Sequence, residues 1–75
     1  MIETILNYVR ENALEVPADF GARSPIFSTG VLDSFDLIEL LALIETETGH
    51  QIGTADVSLE NFDTAERIHT FVLNH

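Results

Sequence analysis

Residues 30–49, with the sequence GVLDSFDLIELLALIETETG, decide the fold of this chain. Leucine and isoleucine recur in this stretch at the three- and four-residue spacing of an α-helix. Asp33 and Ser34, both of residue types favoured at helix N-caps, precede the apolar run, and Gly49 follows it as a left-handed C-terminal stop. The stretch therefore predicts a helix from Ser34 to about Thr48 that emerges from an irregular segment.

Ser34 is the candidate functional residue of this stretch. At the start of a helix, unpaired backbone N–H groups and the positive end of the helix dipole favour an attached or approaching phosphate. A serine at this place can also do nothing more than cap the helix. Its position alone leaves both roles open.

The predicted second helix is apolar on two faces. One stripe is the core face, formed by Leu37, Leu40, Leu41 and Ile44. An adjoining apolar face, with Ser34 and Glu45 beside it, is formed by Phe35, Ile38 and Ala42. Because a core this small cannot cover both faces, the second one predicts a docking surface.

Before this stretch, the sequence predicts one helix and a long loop. Ile2, Ile5, Leu6 and Val9 give the spacing of an amphipathic helix from Ile2 to about Leu14. Residues 15–33 contain both prolines and two glycines, which suit a long loop, with Ile26 and Phe27 pinned to the core.

The C-terminal third predicts one short and one longer helix. Residues 54 to about 61 fit a short helical turn better than a strand. Asp63, with Glu66 three positions on, resembles a capping box that starts the last helix. The buried stripe of that helix is formed by Ala65, Ile68, Phe71 and Val72.

Together these elements predict an all-α, small four-helix bundle with three main helices, one short helix and a long first loop. With 75 residues, the chain has room for a single domain, residues 1–75.

The charge is strongly acidic. Thirteen Asp and Glu residues face three arginines and no lysine, giving a net charge of -10. Such a surface repels nucleic acid and anionic lipid and attracts proteins with Lys or Arg patches. Acidity that serves solubility alone is the alternative.

Several chemistries are absent from the sequence. Without cysteine there is no disulfide, thiolate metal site or cysteine nucleophile. The three histidines lack the spacing of metal ligands: His50, His69 and His75. Asp33 and Asp36 could form a catalytic carboxylate pair, but the sequence indicates no closed pocket that would separate their pKa values. We therefore expect no metal and no catalytic residue.

The start of the chain lacks the pattern of a signal peptide, and no apolar run is long enough to span a membrane. We expect a cytoplasmic, monomeric protein that binds neither nucleic acid nor membrane.

Taken over its whole length, the sequence resembles the acyl and peptidyl carrier proteins. The resemblance rests on the size, the acidity, the long first loop, the approach Phe27-x-x-Gly30-x-x-Asp33-Ser34 and the pair Glu39-Leu40. It implies a four-helix bundle of the acyl-carrier type. It also implies that Ser34, preceded by Asp33, carries 4′-phosphopantetheine taken from coenzyme A and joined through a phosphodiester.

In that family the arm holds acyl or aminoacyl groups as thioesters, so the missing thiol belongs to the cofactor. The resemblance implies as partners a phosphopantetheinyl transferase, a loading ligase and downstream synthase or transferase enzymes with basic surfaces. It makes Asp36, Glu39 and Glu45 candidates for the acidic part of the partner interface, beside Phe35, Ile38 and Ala42.

Two questions stay open from the sequence. Phe35 stands where leucine is most common in the family, and the cargo could be fatty-acyl, as in fatty acid biosynthesis and other lipid metabolism, or polyketide, aminoacyl or D-alanyl. The alternative from another class is an acidic helical adaptor without enzymatic activity, in which Ser34 is only a helix N-cap.

Overall fold

A computed structural model describes residues 1–53 and 57–74 of the chain. These residues form four helices: α1 (Ile2–Asn12), α2 (Ser34–Thr48), α3 (Leu59–Phe62) and α4 (Ala65–Leu73). Helix α1 packs against α2 and α4, and α3 contacts α4. No strand occurs among the described residues, so the predicted all-α bundle with three main helices and one short helix is confirmed.

Helix α1 begins where the sequence predicts and ends two residues earlier than expected. Ile5, Tyr8 and Val9 are its buried residues, which follows from their three- and four-residue spacing. Ala13 leaves the helix in an extended conformation. Leu14, which the periodicity had included, is fully exposed.

The loop from residue 13 to residue 33 is tied to the core by its apolar residues, as predicted. Ile26 is fully buried and Phe27 packs against the core from a partly buried position. Phe20 and Leu32 are also buried. These contacts fix the direction from which the chain enters α2.

Helix α2 has the predicted bounds and the predicted stop. Gly49 lies in the left-handed region, with φ 75°, and its N–H donates to the carbonyl of Glu45. Leu40, Leu41 and Ile44 are buried, while Leu37 is only partly buried. Beyond the stop, Ile52 folds back onto the core as expected.

The short third helix starts later than the predicted turn. It is capped by Ser58, whose side chain accepts from the N–H of Asn61. Residues 54–56 of the predicted turn lie outside the described residues.

The predicted start of the last helix is wrong by one residue. The N-cap of α4 is Thr64, whose side chain accepts from the N–H of Arg67, and Asp63 is not part of a capping box. Glu66 pairs instead with Arg23, whose Nε donates to Oε2 at 3.0 Å. Of the predicted stripe, Ala65, Ile68 and Val72 are buried; the ring of Phe71 packs against that of Phe62, with centroids 5.0 Å apart.

Candidate functional site

The chain reaches the start of α2 through a short turn in the loop. Gly30 has φ 80°, and its N–H donates to the carbonyl of Phe27 at 3.2 Å. The N–H of Leu32 then donates to the carbonyl of Ile26 at 3.1 Å. Because Ile26 and Leu32 are both buried, this turn holds residue 33 at a fixed place above the core.

Asp33 is the N-cap of α2. Its Oδ1 accepts from the N–H of Asp36 at 3.0 Å, and its own N–H donates to Oδ2 of Asp36 at 3.2 Å. This reciprocal pair is a capping box, which satisfies two backbone donors at the helix start. The alternative in which Ser34 is the N-cap is therefore wrong for this structure, because the cap is already supplied by the residue before it.

Ser34 is the first residue of α2 and is exposed. Its hydroxyl makes no hydrogen bond within residues 1–53 and 57–74. The first N–H groups of a helix have no intrahelical acceptor, so the hydroxyl lies beside the positive end of the dipole. A free, exposed hydroxyl in this setting can be esterified with a phosphate without breaking any contact of the fold.

An apolar cavity lies directly beside Ser34, between α2 and the segment that contains α3. Its volume is about 350 Å³. Asp33, Ser34 and Ser58 are the polar residues that line it. The apolar residues that line it are Phe27, Leu32, Leu37, Val57, Leu59 and Phe62.

Among the described residues, no side chain forms a hydrogen bond with Ser34 that would activate it as a nucleophile. His50 follows the opposite end of α2, a helix about 22 Å long that starts at Ser34. In the described part of the chain, no group of three or more His, Cys, Asp and Glu residues is arranged to hold a metal ion. None of the helices there is both long and apolar enough to cross a membrane.

The second apolar face of α2 is exposed, as the sequence predicts. Phe35 is 80% exposed and Ile38 is 66% exposed. Ala42 is exposed as well, and Leu43, which the sequence analysis did not single out, extends the face toward the end of the helix. We call Phe35, Ile38, Ala42 and Leu43 the outer apolar face.

The three candidate carboxylates of α2 are not equivalent. Asp36 is half-buried and held in the capping box, and Oε2 of Glu45 accepts from the N–H of Ile52 at 2.6 Å. Glu45 is thus half-buried beside the returning chain, and only part of its side chain is open to solvent. Glu39 is exposed, and its Oε1 accepts from the hydroxyl of Tyr8 at 2.9 Å.

The parts that two residues play in this site do not follow from the sequence analysis. Tyr8 contacts α2 from α1, and the only signal for it is one tyrosine on an otherwise aliphatic helix face. Asp63 holds the loop before Ser34: its Oδ1 accepts from the N–H groups of Phe27 and Ser28 at 2.8 and 2.9 Å, and its Oδ2 from the Ser28 hydroxyl at 2.6 Å.

Asp63 remains ionised in this buried place. Burial opposes ionisation, but the hydrogen bonds from Ser28, Phe27 and Ile26 outweigh it and hold the pKa of Asp63 below its usual value. Because its partners are the residues that lead into the turn at Gly30, Asp63 connects the α3–α4 junction to the entry of α2.

Comparison with known proteins adds three findings. A family model described as "Phosphopantetheine attachment site" matches residues 3–72. A chain from a solved structure titled "Crystal structure of FAD-dependent dehydrogenase" superposes with a TM-score of 0.75 and 24% sequence identity, over 92% of this chain and 99% of that chain. At that identity the likeness shows the fold alone. A search of curated proteins found no match.

Proposed function

The chain belongs to the family of phosphopantetheine-attachment domains, and we propose that Ser34 is the residue to which its arm is joined. Domains of this family attach 4′-phosphopantetheine covalently, and they are carriers, not enzymes. They interact with phosphopantetheinyl transferases and synthase enzymes. We propose that residues 1–75 form one carrier domain. We also propose that it acts in the cytoplasm, where coenzyme A can serve as the donor of the arm.

The observation that carries the proposal is the free hydroxyl of Ser34. Asp33 takes the capping position, so the serine is exposed at the helix start and has no hydrogen bond among the described residues. The neighbouring helix N-terminus stabilises the negative charge of a phosphodiester. When bound, the arm supplies the terminal thiol that the cysteine-free chain lacks, and acyl or aminoacyl cargo is held there as a thioester.

The apolar cavity beside Ser34 supports a second part of the proposal. Its lining by Leu37, Leu59 and Phe62 offers an apolar surface to an arm that starts at Ser34. Burying apolar atoms there is favourable by about 25 cal/mol for each Å² removed from water. We propose that the cavity shelters part of the arm or of a short cargo between partner visits. Fatty-acyl, polyketide, aminoacyl and D-alanyl cargoes all remain candidates.

We propose further that partners dock on the outer apolar face and on the carboxylates beside it. Phe35 and Ile38 are large, exposed and adjacent to Ser34, which fits the apolar centre of an interface. Asp36, Glu39 and Glu45 supply negative charge for Lys and Arg on the transferase, the loading ligase and the downstream enzymes. We expect these contacts to be weak and to weaken further as salt rises, because a carrier must leave each partner quickly.

The attachment is tested by incubating the apo protein with coenzyme A, magnesium and a phosphopantetheinyl transferase of broad specificity, followed by intact mass measurement. We expect one added arm on the wild-type chain and none on Ser34→Ala. Ser58→Ala is the matched control, because Ser58 lines the same cavity and starts a helix, but its oxygen is used as a cap.

We expect Ser58→Ala to accept the arm at the wild-type stoichiometry. An unchanged wild-type mass with several transferases would contradict attachment at Ser34 and favour the acidic adaptor. An arm that persists in Ser34→Ala would place attachment on another residue.

A further inference from the structure

Tyr8 reaches from α1 to Glu39, the exposed one of the three candidate carboxylates of α2. The side chain is buried, with 6% of its surface exposed, and its hydroxyl reaches α2. The hydroxyl donates to Oε1 of Glu39 at 2.9 Å and approaches the backbone carbonyl oxygen of Asp36 at 3.3 Å. The ring is thus fixed by the core while its hydroxyl holds one oxygen of a surface carboxylate.

Burial and the surrounding charges both keep this hydroxyl protonated. Burial raises the pKa of Tyr8 far above its usual value, and the hydrogen bond to Glu39 and the negative charges of Glu39, Asp36 and Asp33 raise it further. A protonated phenol is a hydrogen-bond donor, and so Tyr8 is a donor to Glu39 at neutral pH.

The carboxylate of Glu39 is held differently from its two neighbours. Asp36 and Glu45 each accept from a backbone N–H and are half-buried. Glu39 is exposed, and its Oε2 has no hydrogen bond in the described part of the chain. Glu39 therefore offers a partner one fixed carboxylate with one free oxygen.

Building on the docking surface proposed above, we propose that Tyr8 is a positioning residue that orients the Glu39 carboxylate for an Arg or Lys of the partner enzyme. An exposed glutamate loses side-chain freedom when it is bound by a partner. Here the hydrogen bond from the Tyr8 hydroxyl already restricts the Glu39 side chain in the free protein. Less side-chain entropy is therefore lost when a partner docks. Fixing one oxygen also sets the direction from which a basic side chain can reach the other.

The test uses the attachment of the arm to Ser34. The kcat and KM of a phosphopantetheinyl transferase are measured at low salt, with this protein as the substrate. We expect Tyr8→Phe, which keeps the buried ring, to raise KM about fivefold while kcat stays at the wild-type value. Glu39→Gln should raise KM at least as much. Adding Tyr8→Phe to Glu39→Gln should cause little further loss, because the two residues act through one carboxylate.

Thr4→Val is the matched control, since Thr4 makes the other side-chain hydrogen bond between these helices, to Oε1 of Glu47 at 3.0 Å. It should leave KM unchanged. A wild-type KM in Tyr8→Phe, with Glu39→Gln impaired, would overturn the role of Tyr8 and leave the carrier function standing. A wild-type KM in Glu39→Gln would overturn the inference as well. Failure of the wild-type chain to accept an arm would instead contradict the proposed function.

A spectroscopic measurement checks the contact without any partner. Tyr8 is the only tyrosine and the chain has no tryptophan, so the absorbance of tyrosinate reports this residue alone. We expect the folded protein to ionise Tyr8 well above the usual pH of about 10, and Glu39→Gln to shift the transition downward. Titration of the wild-type phenol near 10 in the folded protein would contradict the hydrogen bond to Glu39.

Discussion

The stretch DSFD at residues 33–36 begins α2, and the stretch DTAE at residues 63–66, of nearly the same chemistry, begins α4. In each stretch, an aspartate is followed directly by a residue with a hydroxyl group, and either one could cap the helix that begins there. At α2 the aspartate caps the helix and the hydroxyl of Ser34 is left free. At α4 the hydroxyl of Thr64 caps the helix and Asp63 is left to bind elsewhere.

The difference comes from what lies opposite each helix start. Asp63 faces the loop amides of Phe27 and Ser28, which are partly shielded from solvent and need an acceptor. Asp33 is exposed and faces no such loop amides, so its carboxylate accepts from an N–H group of its own helix. A shift of one residue in the cap thus decides whether a helix start presents a hydroxyl for modification or a carboxylate for holding a loop.

The largest effect expected from this comparison follows the removal of the buried carboxylate. We expect Asp63→Ala to lower the free energy of unfolding by about 3 kcal/mol, because the N–H groups of Phe27 and Ser28 lose their acceptor, whereas that of Ile26 keeps the backbone carbonyl of residue 63. Asp33→Ala should cost about 1 kcal/mol, as an exposed cap does. Urea denaturation followed by circular dichroism measures both. Equal losses in the two variants would contradict the different roles.

A second effect appears on acidification. The pKa of Asp63 is held below its usual value in the folded chain, so its stabilising contribution is complete above the unfolded value of about 3.9 and is lost as the pH falls through the folded value. We expect the difference in unfolding free energy between wild type and Asp63→Asn to be constant near neutral pH and to shrink in acid. Urea titrations at several pH values give this difference, from which the contributions of the other carboxylates cancel. A difference that grows in acid would contradict the lowered pKa.

The sequence was sufficient to predict the features that depend on neighbours along the chain. The bounds of α2, the left-handed stop at Gly49 and the exposed apolar side chains of Phe35 and Ile38 all follow from periodicity and local steric rules. These features place Ser34 at a helix start beside an uncovered apolar surface. They required no knowledge of what packs against the helix.

The features that the sequence did not predict depend on partners far along the chain. The cap of α4 was misplaced because Asp63 and Thr64 are both favoured N-cap residues, and the choice is made by amides more than thirty positions away. The contact of Tyr8 with Glu39 spans a similar separation.

A smaller effect is expected at the α4 cap. Thr64→Ala should destabilise the fold by about 1 kcal/mol, because the N–H of Arg67 loses its acceptor. Thr64→Ser keeps the oxygen and should recover most of that loss. Both variants should accept the phosphopantetheine arm as fully as the wild-type chain, which intact mass measures. A Thr64→Ser variant as unstable as Thr64→Ala would show that the buried methyl group, and not the cap, carries the stability.

The smallest effect is expected from Ser34→Ala, the counterpart of that substitution at α2. Its hydroxyl has no partner in the described part of the chain and alanine is a good helix former, so we expect the unfolding free energy to change by no more than about 0.5 kcal/mol. Thermal and urea denaturation of the apo protein measure this. A loss near 1 kcal/mol would mean that Ser34 caps α2 in solution, as the adaptor interpretation requires. A near-zero change in unfolding free energy, together with complete loss of arm attachment, would mean that the serine serves attachment and not the fold.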